Sequence, residues 1–246
     1  TLTKTFRSTK QIVKLANSLS FVDIEKEKIY DIEEMADGDL PEIRYYSKTK
    51  NQIRYITNKI KEIHSKEEGA TIAVIHREED RILRRQKSSL RQHLEMNFML
   101  IGIEGYNRKF NYTDHKKPIF YTDIYSVKGL EFDYVFIIDF DRYNYPKNNK
   151  ISKVQEYHNI DSSGFGRLYQ QDKMEIEDEE KRLLYVAITR AKKNVFLTYS
   201  GERYMDISRF VKEFDTKDYK AHGFNKTEIK KNEEKAEEEL LALILG

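Results

Sequence analysis

Three separated stretches of the chain combine arginine, lysine, glycine and carboxylate side chains densely enough to do chemistry. The first is Thr5-Phe6-Arg7-Ser8-Thr9. The second runs from Tyr125 to Asp133 and reads YSVKGLEFD; the third runs from Glu180 to Lys192 and reads EKRLLYVAITRAK. An arginine offers a permanently charged planar fork of donors that matches phosphate oxygens, and it suits the stabilisation of charge that develops on a transferring phosphoryl group. A glycine beside such residues lets the backbone approach a ligand closely. Taken alone, each stretch also has an ordinary explanation. Arg7 is then a solvated residue at a helix start and Gly129 a turn glycine. The cations around Arg190 then complement the negative end of a helix.

In order and wording the three stretches resemble motifs IV, V and VI of the UvrD, Rep and PcrA group of superfamily 1 DNA helicases, which lie together in the second RecA-like domain. The phrases KGLEFD (128–133) and LLYVAITRAKK (183–193) are the specific ones; FRST (6–9), followed by Ile12, Ala16 and Asn17, is looser. The resemblance implies roles residue by residue. Arg7 and Arg190 match the two catalytic arginines that reach the γ-phosphate of ATP across an interdomain cleft. Phe6 matches an aromatic residue that stacks on adenine, Glu131 a contact to the ribose, and Gly129 a point of close backbone approach. Motif V of the family also touches the backbone of single-stranded DNA, often through a Thr and a His. Those positions here are Asp123 and Tyr125, which leaves Thr122, Tyr125 and Ser126 as the expected DNA contacts, with Tyr125 able to stack on a base.

What the chain lacks bears equally on the reading. It contains no G-x-x-x-x-G-K-[ST] phosphate-binding loop and no evident acidic Walker B strand. Those parts, and the Mg²⁺ that accompanies ATP, are expected on an N-terminal RecA-like domain preceding Thr1, where the sequence starts without Met as an excised piece would. The chain alone is therefore expected to be inactive, and the full-length protein to be an ATP-dependent DNA helicase. Only about 120 residues separate Arg7 from Lys128, so the large helical 2B insertion of UvrD, Rep and PcrA is expected to be missing or vestigial. The KGLE wording resembles the branch that moves 3′ to 5′. The alternative is a helicase-like ATPase that remodels a protein partner such as RNA polymerase.

The elements that must position these residues can be read from periodicity. Ser8 and Gln11 form a capping-box pattern ahead of a helix over 9–20, with Ile12, Leu15, Ala16 and Leu19 on one face. A strand over 43–46, a helix carrying Ile53, Ile56, Ile60 and Ile63, and a β-branched strand over 71–75 follow. Next come a charged helix over 78–97 and strands over 98–103, 119–125 and 134–139. A helix over 179–192 and a strand over 195–199 complete the series. The alternation predicts an α/β fold, a mostly parallel RecA-like sheet with helices on both faces and no phosphate-binding loop of its own. His76 and Arg77, at the end of the strand over 71–75, read as ordinary surface residues. Residues 142–178, with little periodicity, read as a long and partly disordered connection. The expected division is a motor domain over 1–212 and a charged helical appendage over 213–246. The appendage ends in Leu240, Leu241, Leu243, Ile244 and Leu245, which are expected to meet a missing domain.

Composition excludes more than it selects. The 44 Lys and Arg nearly cancel the 42 Asp and Glu, leaving a formal charge of +2. A wholly basic surface is excluded; a local basic stripe is not. The absence of cysteine rules out disulfides, thiolate metal sites and cysteine nucleophiles. No run approaches the roughly 20 apolar residues of a membrane span, and no apolar leader is present, so a cytoplasmic protein is expected.

Overall fold

The computed structural model describes residues 8–19, 32–77, 89–110, 115–147 and 167–229, with the backbone alone for residues 33 and 167–171. Seven strands form one sheet: β1 (Glu42–Tyr46), β2 (Ile72–His76), β3 (Met99–Ile101), β4 (Pro118–Asp123), β5 (Phe132–Ile137), β6 (Ala191–Ser200) and β7 (Lys220–His222). Their order across the sheet is β3-β4-β2-β5-β6-β1-β7, and every pairing is parallel. All strand starts therefore lie along one edge and all strand ends along the other.

Helices cover both faces, as a parallel sheet requires. On one face lie α1 (Lys10–Asn17) and α4 (Arg167–Ile188). Ile12, Leu15 and Ala16 of α1 and Leu184, Ala187 and Ile188 of α4 share a core with Ala73, Ile75, Val135, Ile137, Val195 and Leu197. On the other face α2 (Thr49–Lys66) and α3 (Ser89–Asn97) cover a second core. There Ile56, Ile60, Ile63, Leu90 and Leu94 pack on Ile72, Val74, Phe136 and Phe196. Alternate residues of β2 and β5 feed opposite cores, because successive side chains of a strand point to opposite faces. Among the described residues no helix is long and apolar enough to cross a membrane.

Several expectations are corrected. The Ser8 and Gln11 capping box does not form. Thr9 is the residue before α1 and makes no side-chain cap, while Gln11 donates to Asp37 and accepts from the Gly38 amide. The strand expected over 98–103 ends at Ile101, where Gly102 leads into a 3-10 turn over Ile103–Gly105. The helix expected over 179–192 begins at Arg167 and ends at Ile188, so residues 167–178 of the supposed connection are helical. The helix is held through its C-terminal half by apolar burial and by ion pairs. Leu184, Ala187 and Ile188 are buried at one end. Between its middle and that end, ion pairs join Glu177 to Arg209 at 2.7 Å and Lys181 to Glu213 at 3.0 Å. The segment 141–147 is also ordered, with Tyr145 fully buried; residues 148–166 lie outside the described residues.

The division expected at 212/213 falls within the folded core. Phe214, Tyr219 and Ile229 are buried in the core beneath α1 and α4, and β7 pairs with β1. Residues 230–246, including the leucine-rich end, lie outside the described residues.

One titratable group in this packing sets a pH dependence. His64 of α2 is buried edge-on against Phe98, with ring centroids 6.4 Å apart. Burial pushes its pKa below the ordinary 6.5, opposed by the Ala70 backbone and helped by Lys117. The unfolded chain then takes up a proton at a higher pH than the folded one. The stability that neutral His64 contributes is present above pH 6.5 and is lost as pH falls through the lowered folded value. Urea midpoints measured between about pH 7.5 and 5 should fall more steeply for the native sequence than for His64→Leu. Parallel profiles would show that His64 is not the titrating group.

Candidate functional site

The three chemistry-bearing stretches meet where strands begin. The Phe132 amide, at the start of β5, donates to the Arg190 carbonyl at 2.9 Å. Ser8 donates its hydroxyl to the Ala191 carbonyl at 2.6 Å, and the Thr9 amide donates to the Lys192 carbonyl at 3.0 Å. Residues more than 180 positions apart in the chain are thus held side by side. Phe6 and Arg7 lie outside the described residues; Ser8, the residue that follows them, is fixed to the strand start of β6.

Arg190 sits in the turn between α4 and β6, half-buried. Its Nε donates to the Val186 carbonyl at 3.1 Å, one Nη to the Leu130 carbonyl at 3.2 Å, and the other to the Thr189 hydroxyl at 3.4 Å. Thr189 in turn donates its hydroxyl to the Tyr185 and Val186 carbonyls, each at 3.0 Å. These bonds satisfy the last carbonyls of α4 and explain why the helix stops there. The helix-capping explanation for Arg190 is therefore realised. These three acceptors are neutral oxygens, and a charge-assisted bond to an anion is roughly twice as strong as such a bond.

Gly129 and Glu131 reach the same edge from motif V. Gly129 has φ +83°, and a Cβ there would meet nothing within 4 Å. The glycine is required by backbone conformation, and space for a ligand lies beside it. Tyr106, which the sequence did not single out, clasps Glu131. Its hydroxyl accepts from the Glu131 amide and donates to the Glu131 carbonyl, both at 2.9 Å. Its ring packs edge-on against Phe132 at 5.6 Å. The Glu131 carboxylate lies 3.5 Å from Lys192 of the third stretch. No spacing pattern marks Tyr106; its role depends on the β3–β4 connection folding under motif V.

The other end of motif V lies at the opposite edge, where β4 ends. Asp123 organises this turn: its carboxylate accepts the Tyr125 amide at 2.9 Å, the Ser126 amide at 3.0 Å and the Ser126 hydroxyl at 2.8 Å. The departure from a Thr at this position thus has a local structural use, an Asx-type turn. Ser126 spends its hydroxyl proton on that carboxylate. Thr122, expected as a DNA contact, is buried within β4 with its hydroxyl 3.5 Å from the Asp123 carbonyl. Tyr125 is 45% exposed, and the Arg77 guanidinium lies 5.1 Å from its ring centroid.

Arg77 is not the surface residue expected. It is 2% exposed, and one Nη donates to both carboxylate oxygens of Glu180, itself fully buried, at 2.6 and 2.5 Å. Glu180 also accepts the Lys147 amide at 3.1 Å. The pair ties the end of β2 to α4, and through α4 to Arg190. Nothing in the sequence pairs positions 103 residues apart; only the fold brings them together.

Residues 1–110 and 106–202 match the model of the UvrD-like helicase C-terminal domain family. The crystal structure of the C-terminal domain of a possible DNA helicase from Lactobacillus plantarum WCFS1 is similar, with a TM-score of 0.56 and 16% identity. The match covers 89% of this chain and 99% of that one, and the likeness makes the fold RecA-like. No curated protein matches the chain.

Two substitutions test the geometry of motif V. Gly129→Ala forces a Cβ into the left-handed region without a clash and should cost about 1–2 kcal/mol in urea unfolding. Tyr106→Phe removes both bonds to Glu131 and should cost about 0.5–1.5 kcal/mol, because a half-buried amide and carbonyl lose their partner. Native-like urea midpoints for both would show that the motif V backbone is not held in this form.

Proposed function

Because the chain belongs to the UvrD-like helicase C-terminal domain family, we propose that it is the second motor domain of an ATP-dependent helicase that moves 3′ to 5′ on single-stranded DNA. Its strand-start edge then supplies half of an ATP site. The observation that carries this reading is the convergence of Ser8, Gly129, Glu131 and Arg190 at one edge of the sheet, fixed by bonds between distant stretches. The other half, the phosphate-binding loop and the groups that hold Mg²⁺, belongs to an N-terminal RecA-like domain.

ATP is the substrate. As water attacks the γ-phosphorus and the bond to the leaving oxygen breaks, negative charge spreads over the phosphoryl and leaving oxygens. Arg190 exchanges its carbonyl acceptors for those oxygens, and Arg7 approaches from the stretch fixed by Ser8. Phe6 stacks on adenine, Glu131 accepts from a ribose hydroxyl, and Gly129 leaves the room in which the nucleotide approaches the backbone. The exposed ring of Tyr125 stacks on a DNA base at the other edge, with Ser126 and Thr122 setting the shape of that turn. Residues 124–131 then link the two sites. A shift of Gly129 and Glu131 on nucleotide binding is carried to Tyr125 along one short connection.

In the full-length protein, Arg190→Ala should lower kcat at least about a hundredfold with a small change in KM for ATP, since the lost bonds form with transition-state charge. Arg190→Lys should rescue little, because an ammonium lacks the planar fork. Single-stranded DNA affinity without nucleotide is the control and should be unchanged. Near-normal turnover in the folded Ala variant would sink the arginine-finger role. The chain on its own should show no ATP turnover. Stimulation of the full-length ATPase by single-stranded DNA, weakening with salt as phosphate contacts demand, separates a DNA motor from an ATPase that acts on a protein partner.

A further inference from the structure

The near-neutral charge of the chain conceals a strong asymmetry. Between residues 44 and 66 there are seven Lys or Arg against the single acid Glu62, in a chain whose net charge is +2. This segment comprises the end of β1 and all of α2, and between them lies a cleft of about 450 Å³. Arg44 and Tyr46 line it from β1, and Asn51, Arg54, Asn58 and Lys59 from α2. None of these residues takes part in motifs IV, V or VI.

The cleft holds more donors than acceptors: its one carboxylate, Glu62, is taken up by Lys59 and Lys66. Arg54 is exposed, and its side chain bonds only the Asn51 amide oxygen, at 3.4 Å; among the described residues it has no ion pair. The Tyr46 hydroxyl is shielded from solvent and lies beside the Arg44 guanidinium. Arg44 places its Nε on Glu42 at 2.6 Å and lies 4.2 Å over the Tyr55 ring, which leaves its Nη groups for another acceptor. Two guanidinium groups, Arg44 and Arg54, lining one cleft with Lys59 call for an anionic oxygen. The cleft is wide enough for a single nucleotide and too small for a double helix.

Position adds to this. Tyr46 pairs with Ser200 at the strand-end edge, the edge that carries Tyr125. In the strand order β1 stands four places from β4, a distance of about 19 Å at the usual strand spacing. A strand of nucleic acid that runs along this edge from Tyr125 arrives at the cleft.

We propose that the cleft between β1 and α2 is a second contact for single-stranded nucleic acid, which grips one nucleotide by its phosphate without reading its base. Arg44 and Arg54 donate to the phosphate oxygens, Lys59 adds to the surrounding field, and Glu62 limits the affinity by drawing Lys59 and Lys66 to itself. The inference extends the DNA-binding reading above to a separate surface and is independent of the ATP roles.

Fluorescence anisotropy of this chain with a labelled oligothymidylate, across a salt series, tests it. Arg54→Glu combined with Asn58→Glu, both at exposed sites, should weaken binding at least about fivefold at low salt and reduce the salt slope by roughly 1. Glu62→Gln should tighten binding about two- to threefold by releasing Lys59 and Lys66 to the ligand. Circular dichroism and thermal melts establish that the variants fold; should the double variant unfold, the Glu62→Gln gain carries the test. Unchanged affinity and slope in the groove variants, with weakening only in Tyr125→Ala, would overturn the second contact while leaving the helicase reading intact. Absence of binding by the native chain, or a preference for duplex over single strand, would overturn it equally.

Discussion

The path from β4 to β5 constrains the whole site. These strands flank β2 on opposite sides, and the chain must pass from the end of one to the start of the other in residues 124–131. The register sets Asp123 level with His76 and Tyr134 level with Ile72, so the crossing spans about six residues of strand length and two strand spacings, roughly 22 Å. Nine helical steps would cover only about 14 Å, and a fully extended chain overshoots at about 30 Å. The connection must mix turn and extended backbone, which is why Asp123 closes a turn at one end and Gly129 takes a positive φ near the other. Ile124 and Val127 bury their side chains under α1 and α4 during the crossing. An ordinary crossover helix would separate the two edges; this one joins them through a few residues.

What fixes α4 over that crossing is polar as well as apolar. Arg77 and Glu180 are both removed from water, and desolvation of such a pair offsets much of its attraction, so its net contribution to stability is small. Its effect is on specificity. Removing either partner alone leaves a buried charge and typically costs about 3–5 kcal/mol, so α4 has one favourable placement along β2. The guanidinium edges that make no hydrogen bond lie near the faces of Tyr125 and Tyr145, at 5.1 and 5.6 Å from their centroids. Aromatic faces carry negative potential and compensate part of that loss. Motif V's exposed tyrosine, the strand end of β2 and the helix that bears Arg190 are therefore coupled through one buried cation.

The strands and the apolar faces of α1, α2 and α4 were legible because burial on a sheet imposes period 2 and burial under a helix imposes period 3.6. Boundaries were less so. The start of α4 was unreadable because residues 167–178 are mostly polar, and the ion pair from Glu177 to Arg209 is one that no local pattern reveals. Ser8 was misread for a related reason. A hydroxyl at a helix entrance can cap its own helix or serve a distant carbonyl, and the nearby start of β6 offered the stronger acceptor. The wording of the sequence singles out Arg190, Gly129 and Glu131, which the fold brings to one edge, whereas Tyr106 and the Arg77–Glu180 pair become visible only with the topology. The charge stripe of α2 was present in the sequence, but its partner residues Arg44 and Tyr46 face it only because β1 alternates.

The polarity of the helix ends explains why such a site needs a second domain. Phosphate loops place an anion at a helix N-terminus, where free amides and the dipole both favour negative charge. Arg190 lies instead at the C-terminal end of α4, where the dipole contributes about half a negative charge. The N-terminus of α1 offers little in compensation, because the Thr9 amide is taken by the Lys192 carbonyl and the Ser8 hydroxyl by Ala191. The backbone here repels an anion, and the guanidinium first neutralises that field before it can attract one. A phosphate brought in by another domain changes the balance. On the function proposed above, its oxygens outcompete the Val186 and Leu130 carbonyls for the guanidinium, and the negative helix end behind Arg190 stabilises the cation. In the proposed reading, an arginine placed in this way responds to a nucleotide delivered to it, as a sensor across a closing cleft requires.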